Sequence, residues 1–172
     1  ADVSAMAGQA RTLYTRLSGG LAEWARCIEC EPFRLRIIGT AGSGKTQLAL
    51  NVLQDAVAAG RRPLYVCYNR PLADHVALIA PPGSTVVTFH QLCDRILRST
   101  GLIPDFSQPG AFKALEGFMA DYQPNADWQF DEVVIDEGQD FQPIWRDALL
   151  KLLRLDGRAW WLEDPMQNLY GR

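Results

Sequence analysis

The stretch Gly39-Thr40-Ala41-Gly42-Ser43-Gly44-Lys45-Thr46 fits the pattern G-x-x-x-x-G-K-[ST] at every position. The apolar segment before it, Arg34 to Ile38, predicts a strand, and Lys45 to Ala59 carries apolar side chains at helical spacing. In a strand–glycine loop–helix setting, the backbone N–H groups of the loop converge on phosphate oxygens. The sequence therefore predicts an α/β fold built around a phosphate site.

The residue types in this loop suit a nucleotide triphosphate. Glycines let the backbone curl, and a helix that begins at Lys45 presents unpaired N–H groups and partial positive charge to an anion. The Lys45 ammonium is expected beside the β- and γ-phosphates, where it would also assist catalysis, and the Thr46 hydroxyl is expected on Mg²⁺. We predict that all eight residues, Gly39 to Thr46, bind ATP. The alternative is a glycine-rich turn without a ligand.

Two acids follow the apolar run Val133-Val134-Ile135, which predicts a buried strand. The carboxyl end of such a strand opens on the ligand crevice of an α/β sheet. We predict that Asp136 holds Mg²⁺, directly or through a water, and that Glu137 is the general base for the attacking water. The alternative is an acidic turn before a helix, in which Asp140 is the N-cap.

The rest of the pattern alternates helices and strands, which predicts a three-layer α/β fold with a mainly parallel sheet flanked by helices. The first helix is expected over residues 4–26, with a break at Gly19-Gly20. The last helix is expected over residues 143–155, with Ile144 on its apolar stripe. The other strands are expected over residues 63–68, 85–89, 132–135 and 159–162, and the other helices over residues 72–79, 91–99 and 111–122.

Composition limits the functional classes. The chain has 172 residues and a net charge of −3, so any contact with nucleic acid must be local or shared with other parts of a larger protein. No signal peptide and no membrane-spanning stretch is visible, and we expect a cytoplasmic protein with reduced thiols. Cys27 and Cys30 have metal-ligand spacing, but a second pair that would complete a zinc site is missing.

Four further segments carry a family resemblance. Asp136-Glu137-Gly138-Gln139-Asp140-Phe141 resembles motif II of superfamily 1 DNA helicases of the UvrD/Rep type. Residues 67–73, 88–90 and 163–170 resemble motifs Ia, Ib and III of the same family, in the family's order. Together with the phosphate loop they span residues 39–170. The chain thus resembles the first motor domain (1A), a RecA-like P-loop NTPase domain, and we expect residues 1–172 to form this single domain.

The resemblance implies roles for single residues. Gln167 matches the motif III glutamine that senses the γ-phosphate, on a segment that follows a strand lying between the phosphate-loop strand and the motif II strand. Tyr170 matches an aromatic residue that borders the path of single-stranded DNA. The positions that match the same path are Tyr68, Asn69, Arg70, Phe89 and His90. Gln9 is the candidate for an adenine-reading glutamine, although it lies farther upstream of the loop than expected.

The implied function is that of an ATP-dependent helicase or translocase, which hydrolyses ATP with Mg²⁺ to move on single-stranded DNA. The large insert (1B) of the family is expected to be absent or vestigial, because only residues 92–131 separate motifs Ib and II, and the second motor domain (2A) is not present in these 172 residues. We therefore expect a monomeric fragment that binds nucleotide, hydrolyses it slowly and does not unwind DNA without a second RecA-like domain. The alternatives are a P-loop ATPase module of a DNA repair or nuclease complex, an RNA-directed helicase, and a nucleotide kinase.

Overall fold

A computed structural model describes residues 11–15, 32–39 and 44–165 of the chain. The strands are β1 (Arg11–Thr15), β2 (Arg34–Gly39), β3 (Pro63–Cys67), β4 (Thr85–Thr88), β5 (Phe130–Ile135) and β6 (Leu153–Glu163). The α-helices are α1 (Lys45–Ala58), α2 (Arg70–Ile79), α3 (Phe89–Ser99), α4 (Ala111–Asp121) and α5 (Pro143–Lys151). Short 3₁₀ turns occupy Ala126–Trp128 and Gly138–Asp140.

The strands form one sheet in the order β1-β2-β6-β5-β3-β4, and every neighbouring pair is parallel. The strand that precedes the motif III segment, β6, lies between β2 and β5, as predicted. This order brings the carboxyl ends of β2, β6, β5 and β3 side by side. Any side chains that follow these strands therefore share one edge of the sheet.

Helices cover both faces of the sheet, which confirms the predicted three-layer α/β architecture. In β3, Tyr65 and Cys67 face a core that includes α1 and α2, whereas Leu64 and Val66 face a core that includes α3, α4 and α5. This alternation is the period-two geometry of a strand. Because both faces of β3 are buried, its sequence is a continuous apolar run and does not alternate between apolar and polar residues.

The predicted helix over residues 4–26 is wrong at Arg11–Thr15, which form the edge strand β1 beside β2. Threonine and tyrosine favour strands, and the open edge of β2 offers hydrogen-bonding partners along the whole segment. The remainder of that predicted helix, including Gln9, lies outside the described residues, and so do Cys27 and Cys30.

The predicted helix over residues 143–155 is too long, because α5 ends at Lys151 and β6 begins at Leu153. The Phe130 N–H donates to the Leu152 carbonyl (2.7 Å), so pairing with β5 replaces the last helical turn. Ile144 is 49% exposed and does not belong to the buried face. β6 is also longer than the predicted strand 159–162. It pairs with β5 on both sides of an irregularity, at Leu153 and again from Arg158 onward.

A buried ion cluster lies near the start of β5. Glu132 is 1% exposed; one carboxylate oxygen accepts from Arg158 and from the Trp160 indole (both 3.0 Å), and the other pairs with Arg61 (3.0 Å). Burial raises the pKa of Glu132, and the indole and the two arginines oppose that shift. The cluster joins β5, β6 and the turn between α1 and β3.

None of the helices in the described part of the chain has the length and apolar character of a membrane span.

Candidate active site and adjoining groove

Lys45 is the first residue of α1 and lies at the carboxyl edge of the sheet. Gly44 precedes it in a left-handed conformation (φ 91°), which glycine adopts without steric cost, and no side chain caps the helix. The Lys45 ammonium donates to the Gly39 carbonyl at the end of β2. Burial lowers the pKa of Lys45, and the negative charges of Asp164, Asp136 and Glu163 oppose this shift. The lysine therefore lies in the electrostatic field of acids that follow two other strands.

Asp136 follows β5 and is 6% exposed. Its Oδ2 accepts from the Tyr65 hydroxyl (2.6 Å) and its Oδ1 accepts from the Glu137 backbone N–H (2.8 Å). Burial raises the pKa of Asp136, whereas these two hydrogen bonds and the charge of Lys45 favour its ionised form. The structure thus places Lys45 and Asp136 at the same edge of the sheet, and two hydrogen bonds hold the carboxylate in a defined orientation.

Glu137 is the only non-glycine residue with a positive φ in the described part of the chain (φ 55°, ψ 42°). Such backbone conformations cost free energy and are found preferentially at functional sites. The Glu137 carboxylate accepts from the Asn69 backbone N–H (3.1 Å), in the turn between β3 and α2. Burial raises the pKa of Glu137, and this hydrogen bond opposes the shift.

The turn after the two acids is fixed to the end of β6. Gly138 is buried, and a side chain there would overlap the Trp161 indole. The Gln139 side-chain carbonyl accepts from the Asp164 backbone N–H (3.1 Å). The segments that resemble motifs II and III are therefore in direct contact through Gln139.

A groove of about 540 Å³ adjoins this edge. Nine residues line it: Tyr68, Asn69, Arg70, Pro71, His90, Phe112, Glu116, Gln142 and Trp145. A stack of three rings forms and supports one wall. Phe89 stacks on Trp145 (centroids 4.8 Å apart, planes at 14°), and Trp145 stacks on Tyr68 (6.0 Å, 15°). The stack runs from Phe89, which is 1% exposed, to Tyr68, which is 51% exposed, so it ends on a ring accessible to solvent.

The polar groups of the groove are partly committed to local contacts. The Asn69 side chain accepts from the Leu72 N–H and caps α2, and Arg70 pairs with Asp74 (3.0 Å). The His90 imidazole contacts the Glu116 carboxylate (3.0 Å). Arg70 remains well exposed, so its guanidinium can reach an incoming anion.

The structure places the predicted nucleic-acid residues in two groups. Tyr68, Asn69, Arg70 and His90 line the groove, whereas Phe89 is buried beneath it and can only support its wall. No local pattern indicated a groove role for Phe112, which is 55% exposed on α4, or for Trp145, which has the helical spacing of a core residue. The predicted residues that lie outside the described ranges are Gln9, Thr40, Ala41, Gly42, Ser43, Gln167 and Tyr170.

The donors at the edge suit Mg²⁺ that arrives with phosphates. Among the residues that the structure describes, no three or more His, Cys, Asp or Glu side chains are grouped to hold a metal ion. Mg²⁺ usually takes one or two carboxylates and completes its shell with water and substrate phosphates. Asp136 supplies one such carboxylate, and Thr46 supplies an exposed hydroxyl in the first turn of α1. This donor set fits a nucleotide-borne ion rather than a cage built by protein alone.

Neither models of known protein families nor curated protein sequences match this chain. Its function is therefore inferred from its residues and their geometry.

Proposed function

We propose that this chain is the ATP-binding motor domain of an ATP-dependent DNA helicase or translocase of the UvrD/Rep type. The observation that carries the proposal is that Lys45, at the start of α1, lies at the same edge of the sheet as Asp136 and Glu137, which follow β5. Separate segments of the sequence supply the phosphate-binding lysine and the two acids, and strand order alone brings them together. A glycine-rich turn without a ligand would not require buried acids beside it.

The residues divide the chemistry of hydrolysis among themselves. The first turn of α1 and the Lys45 ammonium would bind the β- and γ-phosphates, which are anions. Thr46 and Asp136 would hold Mg²⁺, whose charge offsets the negative charge of the phosphates. Glu137 would accept the proton of the attacking water, because its carboxylate follows directly on the buried acid and is already oriented by the Asn69 N–H.

The groove supports a nucleic-acid track beside the nucleotide site. Tyr68 presents a ring on which a base can stack, and Arg70 is the exposed cation next to it. The net charge of −3 means that attraction to a strand comes from these local groups and not from the whole surface. The turn Tyr68–Asn69 both lines the groove and contacts Glu137, so it connects the track with the proposed base.

Calorimetric titration of the purified chain with ATP and Mg²⁺ tests the proposal. Lys45→Ala should weaken binding about 10- to 100-fold, since a hydrogen bond to a charged group contributes about 1.5–3 kcal/mol. Lys113→Ala, which removes an exposed lysine on α4, is the matched control and should bind as the wild type does. Absence of Mg·ATP binding by the wild-type chain, or equal binding by Lys45→Ala, would show that residues 39–46 are not a nucleotide site.

A further inference from the structure

Strand register carries Tyr65 to the acid at the end of β5. Tyr65 and Val134 are direct partners on the neighbouring strands β3 and β5. Asp136 lies two residues beyond Val134, and residues two apart on a strand face the same side of the sheet. A tyrosine ring is long enough to span this diagonal. Its hydroxyl reaches the Asp136 Oδ2 at 2.6 Å.

This contact lies inside the protein. Tyr65 is 0% exposed, so its hydroxyl cannot turn to solvent for a partner, whereas Asp136 keeps a small exposed fraction of 6%. The ring of Tyr65 belongs to the core beneath α1, next to Leu48 and Val134, and a phenylalanine would fill the same volume. Packing therefore accounts for the ring but not for the hydroxyl, whose one hydrogen bond donated in the structure goes to the carboxylate.

Two donors from different strands fix the carboxylate of Asp136. The backbone N–H of Glu137, which follows β5, donates to Oδ1, and the hydroxyl of Tyr65, on β3, donates to Oδ2. A carboxylate offers about four lone-pair sites, so about half remain for other ligands. Lys45 and Asp136 lie at the same carboxyl edge of the sheet, and the charge of Lys45 favours the ionised form of the carboxylate. A group held in this way needs little reorganisation when a cation arrives.

We propose that Tyr65 is a positioning residue, which orients Asp136 to receive the Mg²⁺ of a bound nucleotide. Tyr65 itself touches neither the nucleotide nor the ion and acts only through Asp136. The inference rests on the proposed nucleotide site, and it names a residue that none of the sequence motifs includes.

The test compares ADP binding in the presence of Mg²⁺ and in EDTA, for the wild-type chain, Tyr65→Phe and Tyr122→Phe. Tyr65→Phe should reduce the Mg²⁺-dependent gain in affinity about 10-fold, the lower end of what loss of an outer-shell partner of a metal ligand costs. Its affinity for ADP in EDTA should stay unchanged. Tyr122→Phe removes a tyrosine hydroxyl at the end of α4, where the ring packs on Phe118, and should alter neither value.

The outcomes separate the two proposals. If the wild-type chain gains no affinity from Mg²⁺, the nucleotide–magnesium site itself is refuted, and the role of Tyr65 with it. If the wild type shows the gain and Tyr65→Phe retains it in full, only the role of Tyr65 is refuted. Equal losses with and without Mg²⁺ would identify a packing defect and would likewise overturn the positioning role.

Two further measurements exclude a purely structural effect. In an Asp136→Asn background, Tyr65→Phe should cause no additional loss of Mg²⁺ dependence, whereas a packing defect would persist. If Tyr65→Phe does not fold, wild-type protein labelled with 3-fluorotyrosine supplies the test by ¹⁹F NMR. Adding Mg²⁺ to the ADP-bound protein should shift the Tyr65 resonance, assigned by Tyr→Phe substitution of the other tyrosines. An unchanged resonance would overturn the proposal.

Discussion

Replacing Tyr68 by alanine removes the exposed end of the ring stack and leaves its buried part in place. Tyr68 is 51% exposed and rests with one face on Trp145, so its other face is open for a base. If the groove is the track of a single strand, this substitution should weaken strand binding and leave Mg·ATP binding unchanged.

The expected loss follows from the geometry of the stack. Base–aromatic stacking contributes about 1–3 kcal/mol per base. Ordering a free side chain on binding costs about 0.5–1.5 kcal/mol, but Trp145 already holds the Tyr68 ring, so most of that cost is avoided. We therefore expect a loss near the middle of the range, about 2 kcal/mol, which is about 30-fold in Kd.

The assay is fluorescence anisotropy of a labelled thymidine homopolymer, titrated at one fixed salt concentration because phosphate contacts are salt-dependent. Tyr68→Phe keeps the ring and should bind within about twofold of the wild type. Leu78→Ala, at an exposed position of α2 outside the groove lining, is the surface control. Equal weakening by Tyr68→Phe and Tyr68→Ala would refute stacking, and wild-type affinity in Tyr68→Ala would remove Tyr68 from the track. A uridine homopolymer in the same titration compares RNA with DNA.

Two stability predictions follow from buried residues away from the groove. The folded-state pKa of Glu132 lies above its ordinary value of 4.5, so this group favours the fold below that value, and the contribution is lost as pH rises through the folded pKa. The free energy of unfolding in urea should therefore fall less for Glu132→Gln than for the wild type as pH rises from 4.5 through the folded-state pKa. Parallel pH profiles of the two proteins would contradict the raised pKa. Gly138→Ala would press a methyl group into the Trp161 indole and should cost about 1–3 kcal/mol, or roughly 2–4 °C in Tm per kcal/mol. Gly117→Ala, in open space on α4, is its control and should be neutral or stabilising; equal Tm values for both variants would show that the indole yields freely.

Local patterns were sufficient for the elements that build the proposed site. The strand β2, the helix α1 and the strand β5 can each be predicted from a few residues, through glycine spacing, helical periodicity or an apolar run that ends in acids. The prediction that the acids and the lysine share one edge needed only the general geometry of parallel sheets, and the strand order of the structure confirms it for Lys45 and Asp136.

What the sequence did not show depends on contacts between distant segments. The hydrogen bond of Tyr65 to Asp136 exists because of the register between β3 and β5, which no local pattern encodes. Trp145 has the same helical spacing whether it is simple core or the wall of a groove. The predicted end of α5 is wrong because Leu152 and Leu153 fit the apolar spacing of a helix as well as that of a strand. Pairing with β5 decides between the two.

The central position of β6 has a consequence for how the molecule forms. β6 is the last strand of the described residues, yet it joins β2 to β5. Before it is in place, the sheet therefore consists of two unconnected halves, β1-β2 and β5-β3-β4. Lys45 comes after β2, in the first half, and Asp136 comes after β5, in the second. During synthesis, both halves expose an open edge until residues 153–163 leave the ribosome, and open edges invite pairing with other chains. Lys45 and Asp136 therefore come to the same edge of one sheet only when β6 pairs with both β2 and β5. A chain that stops short of β6 contains both groups without the sheet that brings them together.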